Sequence, residues 1–267
     1  MLNDPYSFVC VPHSDITYVF TTAGTTGEPK RIFFTKDEVD HELSWLSYSF
    51  MFIDVDRNDV IQIMFAYGRP SWAAGYLVQR AAEELGALVV PAGNMLDYKE
   101  QIEFIKEFKT TVICGTPSYI LKITREAKKE FELGKLGVRK IILASEPWPE
   151  SLRVELESSW EAQVYDCYGL TEIGLFAGGE CDAKDGLHIN ELSLLLEVVD
   201  PKTGERVEEG EEGELVFTTL DRRGMPLIRY RTRDISYIKN YSCKCGLPFL
   251  RIARIRGRID DMLILGT

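Results

Sequence analysis

The strongest constraint on this chain's fold is the alternation of short apolar runs with amphipathic stretches over its first 166 residues. Residues 16–20 read as a strand. Thr35 followed by Glu38 forms a capping box, and Val39, Leu43, Leu46 and Phe50 then recur on one helical face. Residues 60–65 read as a buried strand, 71–85 as a helix stopped by Gly86, and 88–90 as a strand. Asp97 with Glu100 caps a helix whose apolar residues are Ile102, Ile105 and Phe108. Strands at 111–114, 140–144 and 163–166 then alternate with helices at 118–130 and 149–160. This order predicts an α/β fold, a mainly parallel sheet flanked by helices. Near residue 175 the pattern changes. Residues 187–250 read as short strands separated by turns, Asp200 to Gly204 among them, so a smaller antiparallel β unit follows. The expected divisions are an α/β region over 1–178, a β-rich region over 179–254 and a final segment, 255–267.

In a parallel sheet, ligands sit at the carboxyl ends of the strands. Loops 67–72, 115–118, 145–148 and 167–174 fall there, and residues 21–30 also follow a strand. That last stretch, Thr-Thr-Ala-Gly-Thr-Thr-Gly-Glu-Pro-Lys, holds two glycines, four threonines and a lysine. Glycines let a backbone turn with its N–H groups inward, and such concave arrays bind anions. Threonine hydroxyls add donors and Lys30 adds charge, which suits a polyphosphate. Gly-x-x-x-x-Gly-Lys-Ser/Thr cannot be laid over these residues, so this is not the common P-loop. A polar loop between strands is the alternative.

Three further stretches carry chemistry. In Tyr168-Gly169-Leu170-Thr171-Glu172, a carboxylate after a glycine turn can hold Mg²⁺ beside phosphates, and the tyrosine offers a flat face to a base. A strand-to-helix turn with a capping acid would read the same way. In Tyr230-Arg231-Thr232-Arg233-Asp234, an aspartate among basic residues can accept two hydrogen bonds from a ribose diol. A surface salt-bridge cluster is the alternative. In Gly257-Arg258-Ile259-Asp260-Asp261-Met262, Arg258 could reach phosphate or ribose, or the stretch is a solvated turn.

Charge excludes some partners. Lys plus Arg is 31 against 42 Asp plus Glu, a net charge of −11, which argues against general nucleic-acid binding and against adhesion to anionic membranes. No apolar run reaches the length of a membrane span, and the first residues lack the basic start and apolar stretch of a signal peptide. Six cysteines with no such signal point to a reducing cytoplasm rather than a disulfide framework.

Taken together and in order, the four stretches resemble the adenylate-forming superfamily of acyl-CoA synthetases and adenylation domains. Ser145-Glu146-Pro147-Trp148, Tyr67-Gly68 and the cysteines at 243 and 245 resemble its phenylacetate–CoA ligase branch. The resemblance runs from about residue 15 to the end. It implies that Thr21, Thr22, Gly24, Thr25, Thr26, Gly27 and Lys30 wrap the β- and γ-phosphates of ATP. Glu146 and Pro147 would line the adenine and Tyr168 would stack on it. Thr171 would contact the α-phosphate, Glu172 would ligate Mg²⁺, Asp234 would bind the ribose hydroxyls and Arg258 the ribose or phosphate. Lys30, Thr171 and Glu172 would thus be catalytic. Asp260 would be the hinge of a C-terminal lid, and Tyr67, Gly68, Trp72, Gly115, Thr116 and Pro117 would border the acid pocket. Apolar residues in that last set could equally be core packing.

The implied reaction activates a carboxylic acid, aryl or small acyl, as an acyl-adenylate and passes it to coenzyme A. Residues 1–178 would bind ATP and the acid, and 255–267 would lead into the lid. Two departures are visible. Ala23 replaces a hydroxyl residue of the phosphate loop, and the sequence stops where the family's lid begins. The expectation is therefore nucleotide binding with weak or incomplete turnover by these residues alone. An adenylating enzyme with an acceptor other than coenzyme A, and a lidless AMP-binding module, are the competing readings. The sequence leaves room for a homodimer.

Cys181, His188, Cys243 and Cys245 form a separate set. Three thiols and an imidazole suit tetrahedral Zn²⁺, and a closed set with no open position would be structural. Similar cysteines in the phenylacetate–CoA ligase branch support this. Four unrelated residues are the alternative. Cys114 sits in an apolar strand and reads as core, and burial is also the better reading for Cys167. His13 and His41 read as solvent-facing, and no Ser/His/Asp triad can be assembled.

Overall fold

The alternation is realised as one large sheet with helices on both faces in the computed structural model, which describes residues 4–22, 29–67, 73–239 and 241–259. Ala23, Gly24, Thr25, Thr26, Gly27, Gly68, Trp72 and Asp260, singled out above, lie outside the described residues. A hairpin of β1 (Ile16–Thr21) and β2 (Arg31–Thr35) leads into α1 (Lys36–Met51). Then come β3 (Val60–Met64), α2 (Ala73–Leu85), β4 (Leu88–Val90), α3 (Tyr98–Phe108), β5 (Val112–Gly115), α4 (Pro117–Ala127), β6 (Lys140–Ala144), α5 (Glu150–Trp160) and β7 (Gln163–Leu170). After these the chain is β: β8 (Gly174–Gly179), β9 (Leu187–Ile189), β10 (Leu194–Val199), β11 (Gly213–Thr219), β12 (Tyr230–Ser236) and β13 (Arg251–Ile252).

The helices start where the sequence says they should. Thr35 and Glu38 form a reciprocal capping box on α1, and Asp97 and Glu100 form one on α3. Gly86, at φ +85°, follows α2 in the left-handed conformation that a glycine takes without strain. Of the apolar residues expected under α3, Ile102 and Ile105 are fully buried, but Phe108 is 39% exposed. The helix ends at Phe108, with Lys109 left-handed and its N–H donating to the Ile105 carbonyl.

The large sheet has strand order β13-β9-β8-β7-β6-β5-β3-β4. From β4 to β7 every pairing is parallel, and from β7 to β13 every pairing is antiparallel. Alternate residues of one strand enter different cores. Cys114 and Tyr165 pack with α1 and α2, whereas Ile113 and Val164 pack with α3, α4 and α5. β10, β11 and β12 form a second, antiparallel sheet over a third core around Leu215 and Phe217. β9 and β13, from the stretch read as β-rich, hydrogen-bond onto the large sheet. The division at 178/179 therefore falls at the end of one of its strands.

β7 runs four residues beyond the expected 163–166, so Tyr168, Gly169 and Leu170 lie within the strand rather than in a turn. Gly169 makes this crossing possible. A Cβ there would sit 1.9 Å from the carbonyl oxygen of Leu175 on β8. The pairing shifts register between Tyr168 and Leu170, and the turn proper begins at Thr171. No helix among the described residues is long and apolar enough to cross a membrane.

Candidate active site

Two hydrogen-bonded clusters form where β7 meets β12. Tyr230 and Asp234 are four residues apart on β12, across an irregularity in which Arg231 to Ile235 oppose only Val216 to Glu214 and Arg233 holds φ +67°. Asp234 is buried, and both of its oxygens are taken. The Tyr168 hydroxyl donates to Oδ2 at 2.7 Å and Arg258 Nε donates to Oδ1 at 3.1 Å. The backbones of Asp234 and Arg258 also pair in an antiparallel bridge. Burial raises the Asp234 pKa, while Tyr168 and Arg258 pull it back toward the carboxylate.

The second cluster surrounds Glu172, also buried. Its Oε1 accepts from Lys30 Nζ at 3.1 Å and from the Tyr230 hydroxyl at 2.7 Å, and Lys30 Nζ also donates to Tyr230 at 2.7 Å. Burial, followed by the nearby Glu172 charge, keeps the Tyr230 phenol protonated far above its ordinary range. Lys30 reaches Glu172 because the hairpin closes beside it. The Thr22 N–H donates to the Lys30 carbonyl at 3.1 Å, and the Lys30 N–H donates to Thr22 Oγ1 at 3.0 Å. Thr21, the last residue of β1, pairs with Arg31. Thr171 opens the turn that carries Glu172.

Glu146 and Pro147 are exposed in the loop after β6. Thr116, the residue preceding α4, makes no capping bond through its side chain; Glu146 takes its place. Its carboxylate accepts from the Ser118 N–H at 3.0 Å and from the Ser118 hydroxyl at 2.9 Å, satisfying an orphan donor of the first helical turn. The loops after β5 and β6 are thereby tied together. Ser145 holds φ +76°, a conformation uncommon for a non-glycine residue. Trp148 is buried, donates Nε1 to Asp166 at 3.0 Å and has the Arg254 guanidinium 3.7 Å from its ring centre.

Of the residues expected around the acid pocket, Gly115 and Pro117 are buried in packing, and a Cβ on Gly115 would meet Ile120 Cδ1 at 2.8 Å. Tyr67 is 38% exposed and Thr116 is half-buried. None of these four lines the apolar cavity of about 90 Å³ between the sheet and α1 and α2. That cavity is bounded by Phe50, Phe65, Val78, Cys114, Cys167 and Phe176, and it reaches Ser145 and Gly169. Burial pushes the Cys167 thiol up to about 12 and holds Cys114 higher still, so both are inert packing groups.

Away from the clusters, Cys181, His188, Cys243 and Cys245 converge as expected. Their ligand atoms all lie within 4.8 Å of one another. Cys181 Sγ is 3.6 Å from Cys243 Sγ, and Cys245 Sγ is 3.3 Å from His188 Nε2. Cys181 follows β8, His188 sits on β9, and the cysteine pair precedes β13, so antiparallel pairing of three strands assembles the set. Burial pushes the Cys181 thiol up to about 12 and lowers the His188 pKa, keeping the imidazole neutral. Burial acts against ionising Cys243, but hydrogen bonds from the Cys245 backbone and side chain outweigh it and draw that thiol below its ordinary value. His188 Nδ1 is buried with no hydrogen-bond partner among the described residues.

Sequence reading missed three members of the site. Tyr230 lay inside a quoted stretch but was given no role, and the irregularity of β12 between Arg231 and Ile235 is not visible in that stretch. Glu42 and Arg222, which grip the Glu172 turn, carry no local motif.

Comparison with known proteins gives the family and the fold. A family profile described as AMP-binding enzyme matches residues 3–220. The phenylacetate-coenzyme A ligase of Aromatoleum evansii is 35% identical over 266 residues, covering 98% of this chain and 59% of that protein. The ligase of that name from Thermus thermophilus is 34% identical over 265 residues, with the same coverage. Among solved structures, an open conformation of 2-hydroxyisobutyryl-CoA ligase with 2-HIB-AMP and CoA superposes with a TM-score of 0.87 at 25% identity, covering 96% of this chain and 60% of that one. The chain thus spans about 60% of the length of these relatives. By the matched profile and the fold, the chain belongs to the family of AMP-binding enzymes.

Proposed function

We propose that this chain carries the nucleotide and acid sites of an AMP-forming acid–CoA ligase. The observation that carries the reading is the meeting of Lys30, Tyr168, Glu172, Tyr230, Asp234 and Arg258, from four separate stretches, in two adjoining hydrogen-bonded clusters. Asp234 would accept the ribose hydroxyls beside Arg258, and Tyr168 would present its ring to the adenine near Glu146 and Pro147. Thr21, Thr22 and Lys30 flank the run that would hold the phosphates. Thr171 would face the α-phosphate and Glu172 would take Mg²⁺. The donor set fits that ion: both contacts to the Glu172 carboxylate fall on Oε1, with no hydrogen bond on Oε2 among the described residues. Mg²⁺ would supply charge neutralisation and orientation of the phosphates.

The two reactants are both anions, so the site must lower their repulsion and align them. Lys30 brings positive charge beside Tyr230 and Glu172, and Arg258 brings it beside Asp234. An oxygen of the substrate carboxylate attacks the α-phosphorus, the bond to the bridging oxygen breaks, and pyrophosphate leaves. The thiol of coenzyme A then attacks the acyl carbon and AMP leaves. The apolar cavity next to Gly169 and Ser145 is the place for the acid's tail. Its roughly 90 Å³ is smaller than the apolar cavity of about 150 Å³ that binds benzene, so as it stands it suits a small acyl group, and an aryl tail needs the surrounding side chains to move apart.

The Cys₃His set fits structural Zn²⁺. Bonds of about 2.3 Å to sulfur and 2.0 Å to nitrogen place tetrahedral ligands roughly 3.5–3.8 Å apart; Cys181–Cys243 at 3.6 Å and Cys245–His188 at 3.3 Å stand near that, within a set whose ligand atoms all lie within 4.8 Å of one another. Calorimetry of AMP binding, followed by product analysis with ATP, Mg²⁺ and phenylacetate with and without coenzyme A, tests the nucleotide reading and its acceptor. Saturable AMP binding weakened by Asp234→Asn is expected. A folded chain that binds no AMP overturns the reading.

A further inference from the structure

The turn that presents Glu172 is held from two sides by residues outside the clusters. On α1, Glu38 and Glu42 lie one helical turn apart. Glu38 Oε1 accepts the Arg223 N–H and, at 2.7 Å, the Gly224 N–H, fixing the loop between β11 and β12. Arg222 projects from this loop, buried, its guanidinium 4.2 Å from the centre of the Phe34 ring. Its Nη1 donates to the backbone carbonyl of Glu172 at 2.6 Å. Glu42 Oε1 accepts the Phe176 N–H at 3.0 Å, just past the far end of the same turn. Gly174 admits that carboxylate, because a Cβ there would lie 2.7 Å from Glu42 Oε2. Burial disfavours charge on both groups, and each pulls the other back toward its charged form. Neither makes a hydrogen bond to Tyr168, Asp234 or Arg258 among the described residues.

We infer that Glu42 and Arg222 are positioning residues: they clamp the 171–176 backbone so that the Glu172 carboxylate meets Mg²⁺ and the phosphates in one fixed place. This rests on the nucleotide reading above. The two side chains grip the turn through separate backbone bonds rather than through a salt bridge to each other, and their opposite charges support one another at longer range. The pair therefore acts on the Mg²⁺ and phosphate end of the site and leaves the ribose end alone.

Equilibrium titration separates the two ends. ATP binding is followed over a Mg²⁺ series and AMP binding without Mg²⁺, in the parent chain and in Arg222→Met, Glu42→Gln and Arg222→Lys. The Mg²⁺ concentration for half-maximal ATP binding should rise at least about fivefold in Arg222→Met and Glu42→Gln, the loss of one charge-assisted bond, with Arg222→Lys intermediate. AMP affinity should stay within about twofold of the parent. Without any ligand, amide exchange across 171–176 should quicken. An unchanged Mg²⁺ midpoint overturns the inference, as does an equal loss of AMP and ATP affinity, which would mark general loosening. If Arg222→Met fails to fold, the Glu42→Gln and Arg222→Lys titrations decide. A parent chain that binds neither nucleotide refutes the reading beneath, independently of the variants.

Discussion

Asp59 shows how one side chain in this fold can be both buried and charged. It is 4% exposed, accepts from Arg139 Nε at 3.0 Å and from the Thr111 hydroxyl at 2.6 Å, and ties β3 to the starts of β5 and β6. Burial pushes its carboxyl up, but Arg139, Thr111 and the Asp56 backbone outweigh this and hold it below the usual carboxylate range. A depressed folded pKa gives stability that is complete above the unfolded value of about 4 and is lost as pH falls through the folded pKa. Asp59→Asn should therefore cost about 1–3 kcal/mol near pH 7. The gap in Tm from the parent should close below about pH 4, and a gap independent of pH would contradict the assignment. At this scale the sequence was legible where a residue type has one use. Lys30, Glu172 and Asp234 were named from their stretches and stand in the clusters. Glu146 was named too, but its bond to the start of α4 was not foreseen, because that partner comes from another βα loop. Glu42 and Arg222 were invisible because their meaning lies in contacts across 134 and 50 residues of chain.

Elements were read more securely than their ends. The capping boxes of α1 and α3 set helix starts by local hydrogen bonds, and local bonds are what a sequence displays. β7 was read too short because its last residues are held by β8 rather than by their own propensity. Gly169 is the device. With a Cβ 1.9 Å from the Leu175 oxygen, Gly169→Ala must push β8 away from β7. The change should lower stability by about 2–4 kcal/mol, measured by denaturant unfolding, and weaken AMP binding, since Tyr168 and Glu172 flank the displaced joint. A variant with parent stability and affinity would show that the strand tolerates the methyl group. Sheet membership was also illegible: β9 and β13 carry turn-rich sequence, yet they extend the large sheet through non-local pairing.

Over the whole molecule, one sheet serves two sites. Its strand β7 carries Tyr168 and leads into the turn of Glu172, and its antiparallel edge assembles the Cys₃His set. If zinc joins Cys181 and His188 to the hairpin carrying Cys243 and Cys245, metal analysis should find about one zinc per chain, and a chelator should lower Tm by several degrees. Cys243→Ser should abolish that response, whereas a metal-free chain of unchanged Tm would remove zinc from the account. The central claim is that distant stretches of this chain close around adenosine and its phosphates. A crystal structure of the chain grown with AMP tests it most directly. The account predicts the ribose hydroxyls within hydrogen-bond distance of Asp234, the base against Tyr168 and the phosphate toward Lys30. AMP bound elsewhere, with the Asp234–Tyr168–Arg258 contacts unchanged, would contradict it.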